Sequence, residues 1–182
     1  MDPESPRRSV FIRWSKPRSK HVAQALRSWL PNVIQILDPW MSERDLDAGS
    51  RWGNEVARQL KSADFGIVCV TPENQTEPWL QFEAGALGNV LHTIRVCPYC
   101  FGMDTAVQFP LATFQTVGAD ERGTKHLMTA INKSLGSFAL GERQLDDTFD
   151  LWWPKLSEAL SEIPPVEDVP PPKTESNSFR NW

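Results

Sequence analysis

Glu83 is the only charged residue between Pro78 and Leu91 in PWLQFEAGALGNVL. The stretch has helical apolar spacing, and the positions three and four away from Glu83 are Trp79, Leu80, Ala86 and Leu87, so no base can pair with the carboxylate along the helix. Trp79, one turn earlier on the same face, offers an aromatic wall. A carboxyl group beside an aromatic ring and apolar neighbours holds its proton more tightly, a common condition where carboxylates do chemistry. Gly85 and Gly88 each cost a helix interior roughly 1 kcal/mol relative to alanine, and their small size permits close approach of a ligand or another backbone. Two readings fit these residues. One is a glutamate bonded to backbone groups or a distant arginine within the fold; the other is a reactive carboxylate facing a cleft.

Other chemistry-bearing residues are less organised. Cys97 and Cys100 form a C-x-x-C, the spacing of a redox pair or of half a zinc site. A thioredoxin-type pair opens a helix, yet FGMDTAVQFP follows, and a closed zinc site would need Cys69 and His92 to come into range. Buried thiols are the simpler reading. His21, His92 and His126 are scattered without a Ser or Cys nucleophile pattern, and no G-x-x-x-x-G-K is present. Neither a metal nor a resident cofactor is therefore expected.

The elements around Glu83 read as alternating strands and helices. Val10, Phe11 and Ile12, closing on Trp14, make a short buried strand, and SKPRS supplies the turn after it. Val22, Ala25, Leu26, Trp29 and Leu30 follow at helical spacing, with Ser19 as N-cap and Pro31 as stop. Val33, Ile34, Ile36 and Leu37 read as a second strand, the segment Asp38 to Gly49 as a polar loop, and Arg51 to Ser62 as a helix with Trp52, Val56 and Leu60 buried. FGIVCV, Phe65 to Val70, is an unbroken apolar run suited to a central parallel strand. After TPENQTEP, Pro78 opens the helix that carries Glu83. A fourth strand is expected over Thr93 to Cys97, a short edge strand near Ala112 to Val117, and helices at about Thr124 to Leu135 and Leu145 to Ile163, the second after the acidic pair Asp146 and Asp147. Leu151, Trp152, Trp153, Leu156 and Leu160 read as that last helix's packing face. The pattern implies an α/β fold with a mostly parallel sheet covered by helices on both faces, and a site at the carboxyl ends of its strands, after Trp14, Leu37 and Val70.

The 182 residues suit one domain, expected over 10–163, after a loose leader at 1–9 and before a Pro-rich tail or linker at 164–182. A net charge of −4 argues against a dedicated nucleic-acid binder. Arg7, Arg8, Arg13, Lys16, Arg18 and Lys20 nevertheless cluster near the N-terminus, as a solvated edge or as a patch for a phosphorylated small molecule or an acidic partner. No apolar run reaches membrane-spanning length and MDPESPRRSV lacks a secretory apolar core, so a cytoplasmic chain is expected. Three cysteines in such a chain fit reduced thiols.

VFIRWS at Val10 to Ser15, ERDLDAGSRWGNEVARQLKSADFGIVCVTPEN at Glu43 to Asn74 and PWLQFEAGAL at Pro78 to Leu87 together resemble the bacterial Toll/interleukin-1 receptor (TIR) domains. The resemblance implies a flavodoxin-like fold. It also implies an NAD⁺ glycohydrolase in which Glu83, the glutamate of W-x-x-x-E, is catalytic, with NAD⁺ as substrate rather than cofactor. Trp79 is its companion, Trp14, Ser15 and Lys16 border the cleft, and the loop Asp38 to Gly49, with Arg44, Asp45 and Gly49, borders the nucleotide or reaches a neighbouring protomer. Implied partners are other TIR domains, including copies of this chain, and a sensor or effector. The implied setting is anti-phage defence by NAD⁺ depletion or signal production. Arg13 departs from the family, which commonly has a small hydroxyl residue there. A non-catalytic TIR assembly module is the alternative.

Overall fold

The computed structural model of the chain describes residues 6–41, 63–75, 95–105 and 115–165. Five parallel strands form one sheet, β1 (Arg8–Arg13), β2 (Leu37–Met41), β3 (Phe65–Val70), β4 (Val96–Cys100) and β5 (Val117–Gly118), in the order β2-β1-β3-β4-β5. Every pairing is parallel, with Val10 opposite both Pro39 and Phe65 and Val68 opposite Pro98. The α-helices among the described residues are α1 (Pro17–Val33), α2 (Glu121–Ser134) and α3 (Glu142–Ser161), with a short 3-10 turn at Gly136–Phe138. This is the α/β fold with a parallel sheet that the sequence pattern implied, in the flavodoxin-like strand order that the resemblance implied.

FGIVCV forms β3 as read, buried along its length except for half-buried Val68. Strand β1 begins at Arg8, two residues earlier than expected. The second strand differs more. Val33 is the last residue of α1 and closes its buried stripe of Val22, Ala23, Leu26, Trp29 and Leu30, so the strand falls on LDPWM instead. The loop expected from Asp38 therefore starts as β2. Pro39 is tolerated because β2 is an edge strand and residue 36, three positions before it, faces β1: the Arg8 N–H donates to the Ile36 carbonyl at 2.8 Å, which turns the nitrogen of residue 39 outward.

Strand β4 likewise lies later than Thr93 to Cys97. Its odd-numbered residues face β3, as the bond from Gly66 N to the Arg95 carbonyl shows, while Cys100 accepts from Ala119 on the other side. Pro98 thus turns its nitrogen toward β5, whose pairing begins only opposite Tyr99, and no ladder bond is lost there.

Pro31 lies inside α1 rather than ending it, and Pro154 lies inside α3. The carbonyls they leave without an amide partner belong to Arg27 and Asp150, both exposed residues, where water can satisfy them. Ser19 is not an N-cap but a buried residue of the first turn of α1. The acidic pair Asp146 and Asp147 falls within α3, which starts at Glu142.

Helices α1 and α3 pack through aromatic rings: Trp29 meets Phe149 edge-on at 5.9 Å, and Trp153 stacks on Phe149 at 5.8 Å. The Trp29 indole N–H donates to the Trp152 carbonyl at 2.7 Å. Leu156 and Leu160 are buried in this face as expected, but Leu151 is 70% exposed and belongs to the outer surface. Tyr99 ties β4 to α2 by a 2.7 Å hydrogen bond with the Thr124 hydroxyl. Among the described residues no helix is long and apolar enough to cross a membrane.

Candidate functional site at the strand ends

Strand order reverses between β1 and β3, because the chain leaves β1 toward β2 on one side and returns to β3 on the other. Helices diverge from such a point and leave a crevice at the carboxyl ends of the two strands. Here those ends are Trp14-Ser15-Lys16 and Thr71-Pro72-Glu73-Asn74.

A buried polar network joins them. Asn74 is fully buried, accepts from the Thr71 N–H at 2.8 Å, and donates to the Cys69 carbonyl at 3.0 Å and the Ser15 carbonyl at 3.2 Å. Ser19, also fully buried, donates its hydroxyl to the Cys69 carbonyl at 2.8 Å and accepts from the Ser15 N–H at 3.3 Å. Both backbone polar groups of Ser15 are thereby held by side chains from other elements. Bonds between buried polar groups fix the backbone that carries them, and the buried Thr71 hydroxyl takes no part in this network.

Lys16 follows with φ 66° and ψ 158°, a region that glycine adopts freely and other residues rarely. Its exposed side chain donates from Nζ to the Glu73 carbonyl at 2.9 Å. Arg18 pairs with the Glu73 carboxylate and also lies 5.3 Å over the Phe101 ring. Gly102, at φ 68°, leaves room for Arg18: a β-carbon there would lie 2.9 Å from Nη2. Burial pushes the Glu73 carboxyl up, but the donors around it, the nearby Thr71 hydroxyl, the paired Arg18 and its own backbone N–H, together with the Arg18 charge, outweigh this and lower it below its ordinary value.

The predicted site residues meet this arrangement unevenly. Trp14, Ser15 and Lys16 do lie together at the reversal point. Trp14 is only 4% exposed and packs with the core, with Lys20 Nζ 5.1 Å over its ring. Arg13, at the family's hydroxyl position, is likewise buried. Glu83, Trp79, Arg44, Asp45 and Gly49 lie outside the described residues, as do the helices expected over Arg51 to Ser62 and Pro78 to Leu91. The N-terminal basic cluster is divided, for Arg8 sits at the opposite end of β1, 3.8 Å from Asp64, while Lys16, Arg18 and Lys20 share the first turn of α1.

Sequence reasoning passed over Ser19 as a simple cap and over Thr71, Glu73 and Asn74 as turn residues. Their signal was TPEN directly after the central strand, since asparagine and threonine at a strand end bond nearby backbone. A neighbouring cleft of about 670 Å³ at the β4 and β5 ends is lined by Arg18, Phe101 and Trp153, but Asp120 and Glu121 give it an acidic wall less suited to phosphate.

The cysteines are free and buried. Cys97 and Cys100, three apart in β4, point to opposite faces of the sheet, so they form neither a redox pair nor half a metal site. Burial pushes the Cys97 thiol up to about 12 and the Cys100 thiol up to about 11, with smaller contributions from Cys100 and Asp104 respectively, so both are neutral at physiological pH. Among the described residues no cluster of metal-ligating side chains occurs.

Fold and site together define a flavodoxin-like α/β domain with its crevice where β1 and β3 diverge. The chain belongs to the TIR domain family, whose model matches residues 10–128. No curated protein matches the chain. Among solved structures it is similar to the TIR domains of the activated Roq1 resistosome directly recognizing the pathogen effector XopQ, at 11% identity over 85% of this chain and 84% of that one, with a TM-score of 0.36.

Proposed function

We propose that this TIR domain is an NAD⁺ glycohydrolase with Glu83 as its catalytic carboxylate, acting in the cytoplasm in bacterial anti-phage defence. The observation that carries the reading is the reversal of strand order between β1 and β3, with Lys16 at the N-cap of α1 and Arg18 and Lys20 in its first turn directly after β1. A helix N-terminus bearing cations suits a pyrophosphate. In the reaction the ribosyl bond to the pyridinium nitrogen breaks and its electron pair neutralises that nitrogen, so nicotinamide departs without being protonated. Positive charge grows on the ribose, and one carboxylate stabilises it. Water then adds to the ribosyl carbon and loses a proton, giving ADP-ribose, or a nucleophile of the same molecule closes a cyclic isomer.

Glu83→Gln and Glu83→Ala should each lower nicotinamide release at least a thousandfold, with circular dichroism unchanged. Wild-type turnover in either variant would reject the assignment. Mass analysis of the products distinguishes ADP-ribose from its cyclic isomer.

A second reading, a non-catalytic module that assembles with other TIR domains, draws support from Leu151, exposed on α3 beside a groove lined by Trp29, Trp152 and Leu156. Assembly also bears on the enzyme in this reading, since the segment that follows β2, up to Gly49, would complete a neighbouring protomer's site. Rate per protomer should then rise with protein concentration, and light scattering should report larger species over the same range. A rate per protomer that stays constant would remove the requirement for assembly.

A further inference from the structure

Lys16 is the one non-glycine residue with positive φ among the described residues, and both torsions have identifiable causes. Pro17 follows it, and a residue before proline is driven out of the helical region toward extended ψ, matching the observed 158°. Together φ and ψ set how the two peptide planes flanking a residue are turned to each other, so with ψ given, fixing both planes fixes φ. The plane after Lys16 is fixed by α1, whose Lys20 N–H donates to the Lys16 carbonyl at 3.1 Å. The plane before it contains the Ser15 carbonyl, which Asn74 holds at 3.2 Å from 59 positions away in sequence. Ser19 fixes the next plane back through the Ser15 N–H. With both flanking planes tied to different elements, Lys16 has no freedom to relax to negative φ.

We infer that Asn74 is a positioning residue: through the Ser15 carbonyl it holds Lys16 in a glycine-type backbone conformation, which aims its ammonium across the crevice between β1 and β3 toward a nucleotide phosphate. This rests on the proposed NAD⁺ cleavage for its ligand, but not for its geometry. Asn74 is suited to the task because its amide is fully used. One oxygen accepts from Thr71 and the nitrogen donates to two carbonyls, one in each strand end, so no other common side chain of that size makes the same three bonds. Asn74→Asp would set a carboxylate oxygen against two carbonyl oxygens, and Asn74→Ala would leave the Ser15 carbonyl without this donor. Lys16 stays extended across to the Glu73 carbonyl while the strand ends remain clamped.

The test compares glycine with alanine at position 16 in two backgrounds, by thermal unfolding. Both substitutions remove the lysine side chain, so their difference reads the backbone alone. With Asn74 present, Lys16→Gly should melt roughly 2–4 °C above Lys16→Ala, because only glycine fits the held conformation without strain. With Asn74→Ala, the order should vanish or reverse, since a relaxed backbone favours alanine. The same glycine advantage in both backgrounds would overturn the clamp. Should Asn74→Ala fail to fold, Ser19→Ala, which releases the Ser15 N–H, serves as the second background with the same expected loss of order.

A kinetic split tests the link to the ligand. Asn74→Ala should raise KM for NAD⁺ at least tenfold and leave kcat within about threefold, because Glu83 is untouched. A fall in kcat with KM unchanged would overturn the positioning of the phosphate contact. If the wild-type chain releases no nicotinamide, the proposed function fails, while the glycine–alanine comparison still decides the clamp.

Discussion

Two helices start from the same edge of the sheet, and they start by opposite means. Helix α2 follows β5 with Asp120 as N-cap, in extended conformation, its side chain accepting from the Gly123 N–H at 2.7 Å. That bond spans three residues and is legible from sequence. Helix α1 follows β1 with Lys16 in the cap position, at positive φ and without a side-chain cap bond. What the local sequence fails to supply there comes from Ser19 and Asn74, which belong to different elements and meet at the Ser15 backbone. A helix start with no demand beyond stability uses a local cap. A start at the crevice is held by long-range bonds, and strain is retained only where the surroundings determine the backbone from several sides.

Three perturbations bear on this contrast. The largest concerns packing under the ordinary start: a β-carbon on Gly123 would lie 2.1 Å from the Gly118 carbonyl oxygen, so the helix is seated directly on β5. Gly123→Ala should cost about 3 kcal/mol or more, because backbone on both sides has to move; urea denaturation measures it, and a loss under 1 kcal/mol would show that α2 is free to shift. Ser19→Ala should cost about 2 kcal/mol, since it removes two buried bonds, one from the Ser15 N–H and one to the Cys69 carbonyl. Asp120→Ala should cost about 1 kcal/mol, the usual loss of one cap. The comparison is sharpened by ligand binding: Ser19→Ala should weaken NAD⁺ binding beyond its effect on stability, and Asp120→Ala should leave it unchanged. Equal effects of the two on NAD⁺ affinity would erase the distinction between the starts.

What could be read from sequence follows the same line between local and distant causes. FGIVCV declared a central strand because burial on both faces leaves no room for polar residues, and α1 declared itself by the spacing of Val22, Leu26, Trp29 and Leu30. LDPWM did not read as a strand, since an aspartate and a proline are acceptable only where one side of the strand lacks a partner, and edge position is a property of the whole sheet. Val33 reads as part of that strand because a helix's last buried residue and a strand's first look alike in a short apolar run. At the site, the sequence places Trp14, Ser15 and Lys16 together after β1, and it does not tell how deeply Trp14 is buried, because an aromatic residue at a strand end fits both the core and a cleft border. The strained φ of Lys16 left no mark in SKPRS, because its cause includes a side chain 59 positions beyond Ser15. TPEN carried the signal of a turn but not of what the turn holds.

Glu73 gives an expected effect as small as the loss of the Asp120 cap, and its pH dependence separates a charge contribution from a packing one. Its carboxylate is 20% exposed and joined to Arg18, which is 17% exposed, so solvent screens the pair only in part. Glu73→Gln keeps the size and loses the charge, and should cost about 1 kcal/mol at pH 7. The folded carboxyl titrates below its ordinary value of 4.5, so the folded state releases this proton more readily than the unfolded chain. Stability from the charged form is thus fully present above that ordinary value and is lost as pH falls through the lower folded value. Denaturation of wild type and Glu73→Gln at a series of pH values should show a constant gap near neutrality that closes below pH 4.5. A gap that persists at lower pH would assign the role of Glu73 to shape rather than charge. In that case Arg18 would owe its place to the Phe101 ring and the space at Gly102, and the crevice would keep its cation without its acid.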